Sequence, residues 1–450
     1  MRGHAIALKT VSLVESNIMI QVDVARLKEH IGQKVTVKGW LYNCRSKGKI
    51  HFLQVRDGSG TVQGIIIKGV LPDAEFEHVG KLGQESSLEV DGTVREDTRS
   101  PTGVELDVTA VRPIQDVKDY PIALQEHGPD FLLQNRHLWL RSRKQHAVMR
   151  VRSRVELAIR QFFDNRGFTL VDAPIFTPSA CEGTTTLFEV KYFDEDKAYL
   201  TQSGQLYMEA AAMALGKVYC FGPVFRAEKS KTRKHLTEFW MLEPEIAYGT
   251  LEDVMDLSEA LIVHLFTEVL NTCKQELATL ERDLTKLEDV ARGGFPRITY
   301  HEASKLLATM DTGFVHGNDF GAPDEQALAQ HFGRPVMIHR WPAEIKAFYM
   351  KRDPADPTLA LGVDLIAPEG YGEVVGGGQR AEDLQFLLDQ IKAHQLPQEA
   401  FEWYLDLRRY GTVPHAGFGL GLERTVAWIT GREHVRECIP FPRMLYRIYP

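Results

Sequence analysis

A short stretch rich in proline, glycine and polar residues divides the chain into two parts with different hydrophobic patterns. It lies at about residues 117–138, around the letters DYPIALQEHGPD, and its composition predicts a hinge. Before it, apolar and polar residues alternate, and after it strands and helices are mixed. We therefore expect an N-terminal extension at 1–20, a first domain at 21–116 and a second domain at 139–450.

The first domain has the pattern of a small β-barrel. The segment KVTVKGWLYNCR alternates apolar and polar residues, and KIHFLQVRDGSGTVQGIII indicates two strands joined by a turn at residues 57–60. SSLEVDGTVRED and GVELDVTAVRPI continue the pattern. About five short strands in so short a segment favour a closed barrel such as an OB fold. An accessory β domain without a ligand is the alternative that these residues alone leave open.

The second domain mixes helices and strands without regular βαβ alternation. Helical periodicity covers residues 148–163 and stops at the turn signal of residues 165–167, and residues 251–290 carry long helical patterns. Strand patterns return from residue 335, and a glycine-rich strand precedes a helix near residue 423. This order predicts an α+β fold on an antiparallel sheet flanked by helices, not a doubly wound parallel sheet.

The segment CFGPVFRAEKSKTRKHLTEFWMLEPEIAY indicates a strand, a cationic loop and a returning strand. Arg226 and Glu228 are two apart, so they are expected to share a face of the first strand. One face of the second strand would carry Phe239, Met241, Glu243 and Glu245. Such a charged face is poor core material, because buried charges are paired or hold a ligand, and the basic loop suits a polyphosphate. A solvated hairpin with a charged face is the alternative.

Two further segments have unusual backbone patterns. In HAGFGLGLERTVAWITG, Gly417, Gly419 and Gly421 alternate, so a flat ligand is expected to lie against a strand face without side chains, and Arg424 follows at a helix start. Close strand packing explains the glycines equally well. In GFTLVDAPIFTPS, the prolines predict an edge strand, which is suited to a subunit contact.

Composition limits the partners. The formal net charge is −8, from 53 basic and 61 acidic residues, so an RNA partner must be held by local basic patches. The five cysteines are widely spaced without a C-x-x-C pair, which argues against a disulfide framework or a cysteine zinc site and favours a cytoplasmic protein. No apolar run approaches the roughly 18 residues of a membrane span, so no membrane partner is expected.

Taken together and in this order, these segments resemble the three motifs of the class II aminoacyl-tRNA synthetases. Pro174 corresponds to the first motif, the run 225–228 with Phe239 to the second, and the run 417–424 to the third. The barrel is similar to the anticodon-binding OB domain of the aspartate, asparagine and lysine subgroup, and the resemblance covers about residues 21–450. It implies an ATP-dependent ligase that uses Mg²⁺, binds tRNA and forms a homodimer through the first motif.

The resemblance also implies roles for single residues of the barrel. Phe52 would stack on an anticodon base, Gln63 would read a base edge, and Arg45 would meet phosphate. Single-stranded bases are commonly held by such stacking and edge contacts. Phe52 as a core residue of the barrel is the alternative.

In the second domain the resemblance implies an ATP site. Its residues would be Arg226, Glu228, His235, Phe239, Glu373, Gly421 and Arg424. Arg226 would grip the α-phosphate and the amino-acid carboxylate, and Arg424 the γ-phosphate, so these two are the expected catalytic residues. Asp364 and Glu373 would hold Mg²⁺, although the segment DLIAPEGYGE is about two residues longer than in aspartyl enzymes, which weakens the assignment of Asp364. No protein nucleophile is needed, since the amino-acid carboxylate attacks the α-phosphate.

The choice of amino acid depends on the segment QSGQLYM at residues 202–208. Aspartyl enzymes have proline and lysine where this chain has Gly204 and Met208, so the segment resembles the asparaginyl enzymes of the subgroup. The implied asparagine contacts are Glu182, Gln205, Arg226, Glu243 and Arg380. The alternatives are an aspartyl enzyme that discriminates weakly, an amide-forming asparagine synthetase on the same catalytic fold, and an inactive RNA-binding paralogue.

Overall fold

The computed structural model describes residues 19–100, 102–178, 180–181, 186–193 and 196–450. The chain divides into two compact units, with the boundary between His127 and Gly128. Nearly all of the expected N-terminal extension lies outside the described residues. Within those residues, no helix is long and apolar enough to cross a membrane.

The described part of the first unit forms a closed barrel. Its elements are β1 Ile20–Gln21, a 3-10 helix Val24–His30, β2 Lys34–Lys47, β3 Ile50–Arg56, β4 Thr61–Ile67, α1 Asp73–Val79, β5 Ser87–Glu96 and β6 Val104–Gln115. The strand order is β1-β2-β3-β4-β6-β5, and β2 also pairs with β5, which closes the barrel. The OB-fold prediction is confirmed.

The predicted turn between β3 and β4 has a local cause. Asp57 Oδ1 accepts hydrogen bonds from the backbone N–H groups of Ser59 at 2.7 Å and Gly60 at 2.8 Å. An aspartate side chain that caps its own turn in this way fixes the chain reversal. It also sets the register in which Arg56 lies opposite Thr61.

In the second unit the described helices are scattered along the chain. They are α2 Pro129–Gln134, α3 Arg136–Trp139, α4 Arg143–Asp164, α5 Gln205–Leu215, α6 Leu251–Thr272, α7 Lys274–Thr279, α8 Leu284–Ala291, α9 Tyr300–Leu307, α10 Ala322–Phe332, α11 Leu384–Ala393, α12 Glu402–Arg409 and α13 Leu422–Thr430, with 3-10 helices Ala343–Ile345, Gln398–Phe401 and Val435–Glu437. Helix α6 begins at a capping box, in which Thr250 and Asp253 each bond the other's backbone N–H.

The described strands of the second unit form two sheets. They are β7 Thr169–Leu170, β8 Phe176–Thr177, β9 Glu189–Tyr192, β10 Asp196–Leu200, β11 Lys217–Phe225, β12 Glu238–Ala247, β13 Arg297–Thr299, β14 Val336–Pro342, β15 Leu359–Ala367, β16 Gly372–Gln379 and β17 His415–Gly421. The main sheet has the order β13-β14-β15-β16-β17-β12-β11-β7, and β8-β10-β9 form a small sheet. All pairings from β14 to β11 are antiparallel, which confirms the predicted α+β class.

The two faces of the main sheet differ in chemistry. Leu242, Val363, Leu365, Phe418 and Leu420 are buried in one apolar core with α4 and α6. Because side chains alternate across a strand, the residues between them point to the opposite face. That opposite face carries the charged side chains of the central strands, and it is where a cavity opens.

Three local expectations differ from the structure. Helices α2 and α3 occupy the second half of the predicted hinge at 117–138, because Pro129 starts a helix after Gly128, and Arg136 is fully buried. Strand β11 ends at Phe225, so Arg226 and Glu228 lie beyond the strand. In the described part of the proline segment the strands are the two-residue β7 and β8, although β7 does lie at the sheet edge.

Candidate active site

A cavity of about 660 Å³ lies on the charged face of the main sheet. Its lining brings together most of the residues that the sequence predicted for the second domain. These are Gln205, Arg226, Glu228, His235, Phe239, Glu243, Asp364, Glu373, Arg380, Gly421 and Arg424. Glu182 lies outside the described residues, so its predicted role has no structural counterpart here.

Arg226 and Phe239 form one wall of the cavity. The Arg226 backbone N–H donates to Thr237 O at 3.0 Å, which continues the β11–β12 ladder past the end of the strand. The Arg226 guanidinium carbon lies 5.9 Å from the centre of the Phe239 ring. The hairpin therefore presents a cation beside an aromatic face, as a nucleotide needs for its phosphate and its base.

A buried carboxylate, Asp364 on β15, and a half-buried one, Glu373 on β16, both lie next to Gly376. A Cβ at Gly376 would lie 2.5 Å from Glu373 Oε1, so only glycine leaves room there. Burial and the neighbouring charge of Asp364 raise the pKa of Glu373 to about 8. Lys346 Nζ lies 2.6 Å from Asp364 Oδ2. Lys346 stands apart from the recognised motifs and was not among the predicted site residues.

This carboxylate pair fits a divalent cation that is shared with a ligand. Within the described ranges no group of three or more His, Cys, Asp and Glu side chains forms a complete metal site. Mg²⁺ typically takes one or two carboxylates and fills its remaining positions with water and substrate phosphates. The repulsion that raises the Glu373 pKa would be relieved by such an ion.

Arg424 lies beside this pair at the start of α13. Its Nη1 donates to Glu373 O, and its Nη2 lies 3.5 Å from Lys234 O. Desolvation and the charge of Arg424 lower the pKa of His235. Lys234 is held by Glu325 at 3.1 Å. Lys234 from the loop and Arg424 from α13 thus both lie in the cavity lining, close to each other.

The three glycines of β17 differ in their surroundings. A Cβ at Gly417 would lie 2.1 Å from Glu245 Oε2, and one at Gly419 would lie 3.2 Å from Met241 Sδ, whereas Gly421 has open space. The expectation of a bare strand face for a flat ligand is therefore wrong at Gly417, where the alternative of close strand packing is correct. Gly419 and Gly421 do line the cavity.

Glu243 on β12 also lines the cavity, and its carboxylate is held by neighbouring groups. Its Oε2 accepts the backbone N–H of Gly204 at 2.8 Å and lies 3.5 Å from Cys220 Sγ, while Ser203 Oγ donates to Oε1. A proline at position 204 has no N–H to donate. The glycine noted in the sequence thus has a physical function, which is to orient the Glu243 carboxylate.

Arg380 is buried and forms a two-pronged ion pair with Glu245. Its Nε and Nη2 lie 3.1 and 3.0 Å from the two carboxylate oxygens, and the two side chains are 2% and 1% exposed. The Glu245 carboxylate occupies the space that the absence of a side chain at Gly417 leaves open. Glu245 lies on the predicted face of β12, but its pairing with Arg380 was not predicted.

Met208 does not line the cavity. It is 1% exposed and belongs to a small apolar cluster with Ala212, Val218 and Cys220. Met208 is therefore a core residue of this chain. Met208 packs with Cys220, whose thiol contacts Glu243. An uncharged side chain at position 208 therefore places no cation near the Glu243 carboxylate.

In the barrel, Phe52 lies on the outer face of β3. His51, Leu53 and Val55 are buried, whereas Phe52 is half-buried and is absent from the barrel core. The alternative that Phe52 is a core residue is therefore wrong. Phe52 lies opposite Arg45 on β2.

Gln63 lies on the same outer surface, on β4. It is half-buried, its strand position is opposite Gln54 on β3, and its Nε2 donates to Glu105 Oε2 at 3.2 Å. Together with Arg45 and Phe52 it gives this surface an aromatic ring, amide groups and a cation. These are the groups that hold single-stranded bases.

Family models match both units. Residues 128–445 match the class II tRNA synthetases of the D, K and N group, and residues 35–114 match the OB-fold nucleic acid binding domain. An asparagine–tRNA ligase of Desulforamulus reducens is 57% identical over 427 residues, which cover 95% of this chain and 99% of the relative. The chain belongs to the asparagine–tRNA ligase family.

Other asparagine–tRNA ligases agree with this. The enzyme of Thermus thermophilus is 55% identical over 441 residues, covering 96% of this chain and all of the relative. The crystal structure of the asparaginyl-tRNA synthetase of Pyrococcus horikoshii complexed with asparaginyl-adenylate superposes with a TM-score of 0.92 at 44% identity. The superposition covers 96% of this chain and 99% of the Pyrococcus horikoshii chain.

Proposed function

We propose that this chain is an ATP-dependent ligase that joins asparagine to its tRNA. Glu243 and Arg380 on the cavity wall carry this proposal, because they present a hydrogen-bond acceptor and a donor. An asparagine amide offers the matching NH₂ donor and carbonyl acceptor, whereas an aspartate carboxylate would be repelled by Glu243. The relatives named above give no support to the aspartyl alternative.

The first step activates the amino acid. A carboxylate oxygen of asparagine attacks the α-phosphorus of ATP, the bond to the β-phosphate bridging oxygen breaks, and pyrophosphate leaves. Arg226 binds the α-phosphate and the asparagine carboxylate and stabilises the charge that develops between them. Phe239 stacks on the adenine, Glu228 accepts from its amino group, and Arg424 holds the γ-phosphate.

Asp364 and Glu373 are proposed to hold Mg²⁺ on the triphosphate. The ion supplies charge neutralisation on the phosphate oxygens when it is bound. His235 donates to the γ-phosphate beside Arg424. Gly421 leaves open space near the helix start, where backbone N–H groups favour an anion.

In the second step a hydroxyl of the tRNA 3′ end attacks the activated carbonyl, and AMP leaves. The barrel selects the tRNA: Phe52 stacks on an anticodon base, Gln63 reads a base edge and Arg45 meets phosphate. Gln205 and the undescribed Glu182 are proposed to bind the α-amino group of asparagine in both steps.

We also propose a homodimer in the cytoplasm. Leu170, Ile175 and Phe176, in and beside the edge strands of the proline segment, are exposed large apolar residues. Burying them against a second copy removes this apolar surface from water. All five cysteines are free thiols, which suits a reducing compartment.

Charging of defined transcripts tests this function. Purified protein is incubated with ATP, Mg²⁺ and radiolabelled asparagine or aspartate, together with asparagine or aspartate tRNA transcripts. The proposal expects one product, asparagine on asparagine tRNA. Aspartate on either tRNA would establish the aspartyl alternative instead.

A further inference from the structure

A buried polar network adjoins the proposed amino-acid site. Glu209 on α5 is fully buried, and its Oε2 accepts from Tyr404 Oη at 2.8 Å, Arg408 Nη2 at 2.7 Å and His415 Nε2 at 2.9 Å. Its Oε1 accepts from Gln205 Nε2 at 3.1 Å. Nothing in the proposed mechanism uses this carboxylate, although it is enclosed by four donors.

The network sets the ionisation of Glu209. Burial alone would raise its pKa, but the charge of Arg408 and the hydrogen bond from His415 hold the pKa well below its ordinary value. An ionised carboxylate accepts hydrogen bonds and donates none. The Gln205 amide must therefore turn its nitrogen toward Glu209, and its oxygen is left for the cavity that Gln205 lines.

The same network adjoins the Arg380 segment. Arg408 Nε donates to Ala381 O at 2.9 Å, and the Arg380 backbone N–H donates to His415 O at 2.9 Å. Helices α5 and α12 and strand β17 thus meet at one carboxylate. Gln205 and Glu209 are four residues apart on α5, which places them on the same helix face.

We propose that Glu209 is a positioning residue that fixes the Gln205 amide with its oxygen toward the α-ammonium group of asparagine. This rests on the proposed function, in which Gln205 binds that group. A freely rotating amide would present its NH₂ to the ammonium part of the time. Two donors facing each other in a buried site form no hydrogen bond and repel.

Glu209→Gln tests this role because it replaces the oxygen acceptor that faces Gln205 with an NH₂ donor. Three donors face one side of the side chain, so the introduced amide keeps its oxygen there and turns its NH₂ toward Gln205. The Gln205 amide must then flip and present its own NH₂ to the cavity. The double variant Gln205→Glu with Glu209→Gln restores the pattern, because the introduced carboxylate accepts from position 209 and still offers an oxygen to the ammonium.

The readout is recognition of the α-amino group. Calorimetric titration measures binding of asparagine and of succinamic acid, which is asparagine without that amino group, and their affinity ratio isolates the contact. A hydrogen bond to a charged group corresponds to about 10- to 100-fold in affinity, so Glu209→Gln should lower the ratio by at least about tenfold. The double variant should regain the wild-type ratio, and binding of ATP should be unchanged in both.

Tyr404→Phe is the matched control. It removes another donor to Glu209 but leaves the oxygen that faces Gln205 unchanged, so the ratio should stay at the wild-type value. An unchanged ratio in Glu209→Gln, a failure of the double variant to restore it, or an equal loss in Tyr404→Phe would each overturn the inference. If Glu209→Gln does not fold, the double variant decides alone, because it keeps the net charge and the hydrogen bond.

The role of Glu209 and the ligase function can be refuted by different results. A wild-type protein that exchanges pyrophosphate with asparagine but binds succinamic acid equally well removes Gln205 and Glu209 from amino-group recognition. The ligase function would then stand. A wild-type protein without asparagine-dependent exchange would instead contradict the function itself.

Discussion

The buried ion pair between Arg380 and Glu245 allows stability and function to be separated. Arg380→Leu leaves the Glu245 carboxylate in a site that is 1% exposed, without its two-pronged partner. Breaking a buried pair on one side typically costs about 3–5 kcal/mol, because an uncompensated charge remains. The free energy of unfolding of the second unit should fall by that amount.

The same variant removes the proposed donor to the asparagine amide. Loss of a hydrogen bond from a charged group costs about 1.5–3 kcal/mol. At about 1.4 kcal/mol per factor of ten, kcat/KM for asparagine should fall by roughly 10- to 100-fold. ATP binding should be retained, since Arg226, Phe239 and Arg424 are untouched.

The double variant Arg380→Leu with Glu245→Leu distinguishes the two effects. Replacing both charges by apolar groups of similar size is often neutral or stabilising, so urea unfolding should return close to the wild-type midpoint. Pyrophosphate exchange with asparagine should remain low. Recovery of exchange together with stability would show that Arg380 acts only through folding, and an unchanged stability of the single variant would refute the account of the pair.

Three further outcomes are expected. Phe52→Ala should lower charging of tRNA by about tenfold or more, a stacking loss of about 1–3 kcal/mol, while pyrophosphate exchange stays normal; an equal fall in both steps would identify Phe52 as a folding residue. Light scattering at micromolar concentration should give twice the chain mass of 50.9 kDa, and a monomer mass would contradict the dimer. Burial, with Arg436 and Arg233, lowers the pKa of His434 from 6.5 to about 4, so protonation favours the unfolded state and stability should fall as pH drops from 6.5 toward 4. His434→Gln should flatten that fall in urea titrations at several pH values, and an identical pH slope would exclude His434 as its source.

Local patterns predicted the elements well. The helix of residues 148–163 was recognisable because apolar residues recur on one side, and α4 at Arg143–Asp164 contains it. The turn at Asp57 was predictable because the aspartate closes it within three residues. The α2 helix was missed because Gly128 and Pro129 carry the same signal in a loop and at a helix start.

The pairings inside the site could not be predicted in this way. Arg380 and Glu245 are 135 positions apart, and Glu209 and His415 are 206 apart, so no periodicity connects them. The purpose of Gly417 was hidden for the same reason, because the side chain that fills its space comes from a different strand. Sequence predicted which residues surround the cavity, whereas tertiary structure determines which of them hold each other.

Amino-acid-dependent ATP–pyrophosphate exchange without tRNA tests the central claim most directly. It reports the first step alone, and therefore the contact of the side-chain amide with Glu243 and Arg380. Exchange with asparagine and background exchange with aspartate is the predicted result. Exchange driven by aspartate would contradict the account, because it would mean that Glu243 does not exclude a carboxylate from the site.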